Sequence, residues 1–500
     1  MAGRTGTVSQ AYGDGVAPDT AAREPAADAV GSIEVHGIDF IPLSERHGGP
    51  AELFWIWAAS NMTLSYVIGG SILITLGLSF WQALVTTLAA AVFWIAVGVV
   101  GISGPPAGTA TMVVSRSAFG LRGNLAPTFL SWLTVVGWQA VTLVLGAFAL
   151  FALAEEVGIT ATTGVKAVLL GLLALMTYAV AVLGHATIVY LQRLFTIALA
   201  ILLVGVAVQV IPDADWSHPS GELAGSSGLA TMLIGLMVLA AFSVGWTNYA
   251  ADYTRYMPRE TSRRGIVTWT LVGGIATSVV ITLIGVLAAT ATDLTDPIGG
   301  FKPLLASWYY VPFLIVVVGG ALTNNFLNTY TSGLTLQALG LRVQRWKTVI
   351  LDGAIATAAA VYAIFFHDFT ATFIEFLSLQ IIWLAPWCAV YCADMWLTRM
   401  RYSEDLLRSR GGRYWYTRGV NLYGFTSWCL GAVAAFLVTN STRWQSPIST
   451  DLLGGADLSA ILGAAVAGAA YLVFARRIRG SDATDHEPRH AGQPASGTTE

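Results

Sequence analysis

Charge is what this chain has least of. Asp, Glu, Lys and Arg make up 11% of its 500 residues, against about 25% in soluble domains. That shortage excludes the three or four soluble domains that the length alone would suggest. The formal net charge is −3 and no acidic or basic block is present, so nothing in the chain points to nucleic acid. Cysteine is equally scarce. Cys388, Cys392 and Cys429 all fall in apolar stretches, and they imply no disulfide framework. Cys388 and Cys392 share a helix face at i, i+4; packing thiols are the main reading and a metal or redox pair the minor one.

Catalytic signatures are missing as well. The chain has no H-E-x-x-H, no G-x-S-x-G, no phosphate-binding loop and no paired-cysteine zinc pattern. Asp252, Asp352, Glu375 and Asp394 lie at the ends of apolar stretches and not at their centres. A voltage sensor or an intramembrane carboxylate relay needs charge near the middle of the bilayer. A membrane enzyme therefore has no visible catalytic set. His185 is a lone histidine at the end of an apolar stretch and reads as structural. No cofactor is expected.

What the chain does have is apolar length: 55% of residues are hydrophobic and the mean hydropathy is +0.65. A helix needs about 20 apolar residues to cross a bilayer. Runs of that length predict an all-α integral membrane protein of about twelve spans: 53–78, 81–102, 125–152, 165–184, 188–211, 228–251, 266–290, 308–340, 348–366, 371–397, 419–439 and 456–475. Residues 1–50 and 479–500 are polar and are expected to be disordered tails flanking a transporter domain over 51–478. No apolar segment near the start suggests a cleaved signal peptide. With the N-terminus inside, the inner loops carry sixteen Lys and Arg. The outer loops carry three: Lys166, Lys302 and Arg443. That asymmetry predicts two cytoplasmic termini.

The spans are not uniformly apolar. The stretch LTNNFLNTYTSG places Asn324, Asn325 and Asn328 inside one of them. An amide left unpaired in hydrocarbon costs several kcal/mol, so something must satisfy these three. On a helix Asn324 and Asn328 share a face, with Asn325 beside them. Two further spans carry a tryptophan beside glycine and neutral polar groups: Trp138 with Thr142 in VVGWQAVTLVLG, and Trp246 in AFSVGWTNYAADYTRY. Packing explains a single such tryptophan. Together with the asparagines, they suggest a pocket for a planar, uncharged, hydrogen-bonding molecule. Span 1 (WIWAASNMTLSYVIGGSI) and span 6 combine Ser, Thr and Asn with glycine. Each opens a five-span half, 53–211 and 228–397. Interrupted segments at matching places in two halves are the mark of an inverted-repeat transporter with its site near the midplane. Spans 11 and 12, over 419–475, then lie outside the repeat.

Several stretches resemble one family, the purine/cytosine permeases of the nucleobase:cation symporter-1 family, which also includes hydantoin and allantoin transporters. They are ADYTRYMPRE (251–260), GPPAGTATMVVSRSAFGLRGN (104–124) with its Arg-x-x-Phe-Gly core, IEVHGIDFIPLSERHGGPAELFWIWAASN (33–61), GWQAVTLVLG and TNNFLNTYTSGL. The similarity runs from about residue 33 to 475. It implies the leucine-transporter-type fold: a 5+5 inverted repeat plus two C-terminal helices. It also implies import of a nucleobase by cation symport with alternating access, in the cell membrane, by a monomer. A related heterocycle such as hydantoin, allantoin or a vitamin-like base is the alternative substrate. Carried over by position, the substrate contacts fall at Trp138, Thr142, Trp246, Asn324, Asn325 and Asn328. The cation ligands fall at the carbonyls of Ala58 and Asn61 and the side chains of Thr323 and Asn324. The resemblance leaves open which base is carried, and whether sodium or a proton is the coupling ion. A passive channel is the competing class; uptake that ignores ion gradients would mark it.

Overall fold

Apolar stretches of this length become helices because lipid offers no partner to a backbone amide. The computed structural model describes residues 30–31, 33–34, 36–221, 227–366, 369–441 and 443–484. The side chains of 366, 369–371 and 475–484 lie outside that description. Among the described residues the fold is all-helical. Nine helices among the described residues are long and apolar enough to cross a membrane, and Leu64–Thr75, Leu422–Phe436 and Ser459–Phe474 are shorter apolar helices. Most of what was expected of the two tails, residues 1–29 and 485–500, lies outside the described residues.

Span 1, expected over 53–78 and interrupted, is two helices, Glu52–Asn61 and Leu64–Thr75. Met62 and Thr63 leave helical geometry between them, and the Thr63 side chain accepts from the Ser65 amide to start the second helix. Span 2 is Phe80–Ala107, span 3 Leu125–Glu156, span 4 Thr163–Leu183 and span 5 His185–Val210. Span 6 is broken where span 1 is. Its helix Gly228–Gly245 gives way to a tighter turn, Thr247–Tyr253, with Tyr249 out of helical geometry. Span 7 is Arg263–Ala291, span 8 Ser307–Ala338, span 9 Arg345–Phe366 and span 10 Phe369–Thr398. Span 11 is Leu422–Phe436 and span 12 Ser459–Thr484.

The packing shows the repeat. Span 1 lies on span 5, and span 6 on span 10. Span 7 lies on span 1, and span 2 on span 6. Span 4 lies on span 8, and span 9 on span 3. Within each of these three pairs, one contact becomes the other when the two halves are exchanged, the pattern of a 5+5 inverted repeat. Spans 11 and 12 pack on each other and on span 10. Span 8 runs through the middle: 78% of its most apolar window is buried, against 28% in spans 4 and 5.

Gly70 lies inside the second helix of span 1, and the chain does not break there. A β-carbon on Gly70 would stand 2.1 Å from the Thr282 carbonyl of span 7, and one on Gly285 would stand 2.1 Å from the Val67 carbonyl of span 1. The two glycines let spans 1 and 7 cross backbone to backbone, the usual role of small residues between membrane helices.

Residues ahead of span 1 are packed where a tail was expected up to residue 50. Glu34 and Ile41 are buried, and the Ile41 amide donates to the Gly108 carbonyl.

Candidate functional site

The two breaks face each other across span 8, and a small cavity lies between them. Thr63, Ser65 and Tyr66 line it from span 1, and Trp138 from span 3. Phe242, Gly245, Trp246 and Tyr249 line it from span 6, and Asn324 and Asn328 from span 8. It measures about 10 Å³, room for about one water molecule.

Span 8 supplies the polar wall because its glycine lets span 1 come close. A β-carbon on Gly320 would stand 2.0 Å from the Met62 carbonyl. One turn on, the Thr323 hydroxyl meets the Ala59 carbonyl at 3.0 Å, and the Asn324 amide donates to the Ser60 carbonyl at 2.8 Å. Span 8 therefore holds the frayed end of the first helix of span 1, whose carbonyls a continuous helix would have used internally. The Asn324 Oδ1 accepts from Asn328 at 2.7 Å and from the Thr142 hydroxyl at 3.2 Å. The Tyr249 hydroxyl donates to the Asn328 Oδ1 at 3.3 Å.

Asn325 lies off the cavity, although its Oδ1 accepts from the Asn328 amide at 3.4 Å. Its amide donates to the Gln139 carbonyl of span 3 at 3.1 Å, and it does not line the cavity. Two of the three asparagines meet at the cavity and the third ties span 8 to span 3. Thr142 stands one hydrogen bond behind, through Asn324. Of the expected cation ligands, Thr323 and Asn324 do reach span 1, but at Ala59 and Ser60, between the expected Ala58 and Asn61. The Asn61 side chain donates to the Gly274 carbonyl of span 7 at 3.2 Å.

The aromatic walls are set by their neighbours. Trp138 lies 5.5 Å from Phe242, 5.9 Å from Phe373 and 5.4 Å from Phe376, ring centre to ring centre. Its indole N–H donates to Gln380 of span 10 at 2.9 Å, and Gln380 donates to the Ala241 carbonyl of span 6 at 2.6 Å. A β-carbon on Gly245 would stand 3.3 Å from the Trp138 Nε1, so glycine there lets the indole approach span 6. Trp246 is held edge-on by Trp57 at 5.5 Å and Tyr249 at 5.4 Å. The sequence reading missed Tyr66, Phe242, Tyr249 and Gln380. Tyr66 and Tyr249 follow the polar breaks within a few residues, and that proximity was the available signal.

The signature 251–260 turns out to build a seal on the side of the N-terminal segment. Asp252 accepts from the Thr111 amide at 2.7 Å and the Thr331 hydroxyl at 3.0 Å. The Tyr253 hydroxyl donates to the Leu327 carbonyl at 3.0 Å. Arg255 donates to Glu34 at 2.8 Å and to the Tyr330 hydroxyl at 2.8 Å. Glu34 also accepts from Tyr256 at 2.7 Å and from the His185 amide at 3.0 Å, with Arg345 of span 9 at 3.7 Å. Burial alone would raise the Glu34 carboxyl; Arg345 and Arg255 outweigh it and hold the carboxyl below its usual range. The loop core Arg116–Gly120 does similar work, Arg116 donating to the carbonyls of Ala338 and Leu406 at 2.7 Å each. Cys388 and Cys392 are free thiols with sulfurs 4.0 Å apart.

A pair of broken helices around a polar, aromatic-walled centre, in a 5+5 inverted repeat, defines a multi-pass membrane transporter. Residues 40–463 match the family described as permease for cytosine/purines, uracil, thiamine, allantoin, and the chain belongs to that family. It is 26% identical over 478 residues to the purine-cytosine permease fcyB of Emericella nidulans, covering 88% of each chain. It is 26% identical over 452 residues to the purine-cytosine permease FCY2 of Saccharomyces cerevisiae, covering 84% of this chain and 81% of that one. Its fold matches Mhp1, a nucleobase-cation-symport-1 family transporter, in a closed conformation with bromovinylhydantoin bound. The TM-score is 0.73 at 20% identity, over 89% of this chain and 96% of that one.

Proposed function

We propose that this protein imports a nucleobase of the cytosine or purine type by cation symport with alternating access. It would act as a monomer in the cell membrane, with both termini cytoplasmic. The observation that carries the reading is the cavity between the two breaks: flat aromatic faces from Trp138, Trp246, Tyr66 and Phe242, and an amide edge from Asn324 and Asn328. A nucleobase has the complementary form, with a π-face on each side and donors and acceptors around its edge. The names of fcyB and FCY2 support the substrate class. The bromovinylhydantoin on Mhp1 supports the second reading, in which the cargo is hydantoin, allantoin or a vitamin-like base.

A base enters this site only after the aromatic walls part, since the resting space holds about one water. It then stacks between Trp138 and Trp246 with its edge toward span 8, and Thr142 fixes the Asn324 amide that reads that edge. The coupling ion, sodium or a proton, is assigned to the seam between spans 1 and 8. There the carbonyls near Ala58 and Asn61 meet Thr323 and Asn324. Hard cations take such oxygen ligands.

Uptake and binding of radiolabelled cytosine, adenine, hypoxanthine, uracil and hydantoin, with and without sodium, test the reading. Base–aromatic stacking is worth roughly 1–3 kcal/mol, so Trp138→Ala is expected to weaken every planar base about ten- to a hundredfold. Affinities that all stay within about twofold reject the central site.

A further inference from the structure

A second cavity, of about 230 Å³, lies on the far side of the aromatic layer from the N-terminal segment. Its walls are apolar and come from the later turns of span 1 and the early turns of spans 6 and 10, among them Ile72, Met237, Leu377 and Ile381. With the N-terminus inside, these are the outward halves of all three spans. Its rim is polar. Asn440, Gln445 and Asp457 stand there, in the connection between spans 11 and 12, which the repeat does not contain.

The rim is a folded element. Asp457 accepts from the Asn440 amide at 3.0 Å and from the Ser459 amide at 2.8 Å, while the Asn440 side chain donates to the Gly455 carbonyl at 2.6 Å. The floor adjoins the central site. Val238 of the wall lies one turn before Phe242, and Leu377 and Ile381 flank Gln380, whose amide holds Trp138. Trp138, Phe242 and Phe373 form one aromatic layer with ring centres 5.5–6.0 Å apart; the first two line the inner space and Phe373 adjoins Ile374 of the outer wall. The outer one holds about 230 Å³ and the inner one about 10 Å³.

We propose that the outer cavity is a second binding site for the same planar, uncharged heterocycle, occupied before the aromatic layer parts, with the span 11–12 connection reading its edge. The inference rests on the central site taking such a molecule. Its apolar walls suit ring faces, and among the described residues no lysine or arginine lines it. The rim presents an amide and a carboxyl already fixed in place, so little ordering is lost on binding. This gives the two spans outside the repeat a role: they carry the rim that first meets the cargo. The outer site binds weakly, because a molecule held there must leave for the centre.

Equilibrium binding of labelled cytosine, hypoxanthine and hydantoin to purified protein in nanodiscs tests this, alongside uptake into oriented vesicles. Wild type is expected to show a tight and a weak class of sites. Met237→Trp, which fills the outer cavity, is expected to abolish the weak class and raise the uptake KM tenfold or more, leaving the tight class within twofold. Trp138→Ala is expected to remove the tight class and spare the weak one. Should Met237→Trp fail to fold, Gln445→Ala at the exposed rim decides; it is expected to weaken the weak class about fivefold and unequally among the three bases. A single class in wild type, or a weak class unmoved by either outer variant, overturns the outer site and leaves the central reading intact. A tight class unmoved by Trp138→Ala overturns the central reading and the outer proposal with it.

Discussion

Arg255 and Glu34 meet at 2.8 Å with both side chains almost wholly buried, and they tie the turn that ends span 6 to the segment ahead of span 1. Tyr330 of span 8 and Arg345 of span 9 complete the cluster. Any motion that opens this side must pull Glu34 away from one group of partners. Removing one member of a buried ion pair costs about 3–5 kcal/mol. Glu34→Gln is therefore expected to favour the form open on this side, read as faster thiol labelling, from that side, of a cysteine placed at Ser65 in the central cavity. Unchanged labelling would show that the seal rests on other contacts.

Acid should act in the same direction. The folded-state carboxyl of Glu34 is held below its usual value. Its contribution is therefore present above the ordinary glutamate range and lost as pH falls through the lowered one. Labelling at Ser65, corrected for the thiolate fraction of the reporter at each pH, is expected to rise at low pH in wild type. In Glu34→Gln this group's share of the pH response should vanish, and a response of full size in the variant would assign it to another group.

The crossing of spans 1 and 7 makes a third prediction. Gly70→Ala forces a β-carbon onto the Thr282 carbonyl, and backbone cannot swing aside as a long side chain can. Overpacking of this kind costs about 1–3 kcal/mol. The expected result is a lower Tm in detergent; an unchanged Tm would show that the two helices can separate at no cost.

Asn325 and Asn328 should behave differently although they lie three residues apart. Asn325→Ala removes a bond to span 3; such interhelical bonds average about 0.6 kcal/mol. It also frees a long 3.4 Å bond from Asn328, and it is expected to lower stability slightly and to reorder affinities among bases less than Asn328→Ala does. Asn328→Ala changes the amide edge of the cavity and is expected to reorder affinities among bases by about tenfold, or 1.4 kcal/mol. Binding isotherms for several bases separate the two, and the reverse pattern would move the polar edge to Asn325.

Thr323→Ala tests the ion seam. The hydroxyl meets the Ala59 carbonyl at the break. The variant is expected to lose ion-dependent affinity while keeping its expression level. Ion dependence that survives the change would leave Thr323 a packing residue.

Hydropathy made the spans legible, and the mixture of glycine with Ser, Thr and Asn marked spans 1 and 6 as the broken pair. Helical spacing put Asn324 and Asn328 on one face, and that face lines the cavity. Asn325, about 100° further round, could be assigned only once span 3 was known to lie against it. Gly70 was part of the signal that span 1 breaks, yet the chain breaks at Met62 and Thr63. Glycine in an apolar run gives no sign of whether it serves a bend or a close crossing. Tyr66 and Phe242 carry no signal of their own, because an aromatic in a membrane span usually serves packing. The segment around Glu34 read as tail because its burial depends on Arg255, 221 residues away.

The resting centre, with space for about one water, carries a thermodynamic consequence. An equilibrium affinity is the intrinsic affinity discounted by the fraction of molecules competent to bind. On the proposed reading that fraction is set by Trp138, Phe242 and Gln380, which contact one another and span 6 along the wall. Tight binding and a loose wall are thus two settings of one dial. A substitution that never touches the cargo, such as Gln380→Ala, can sharpen apparent affinity simply by cheapening the opening.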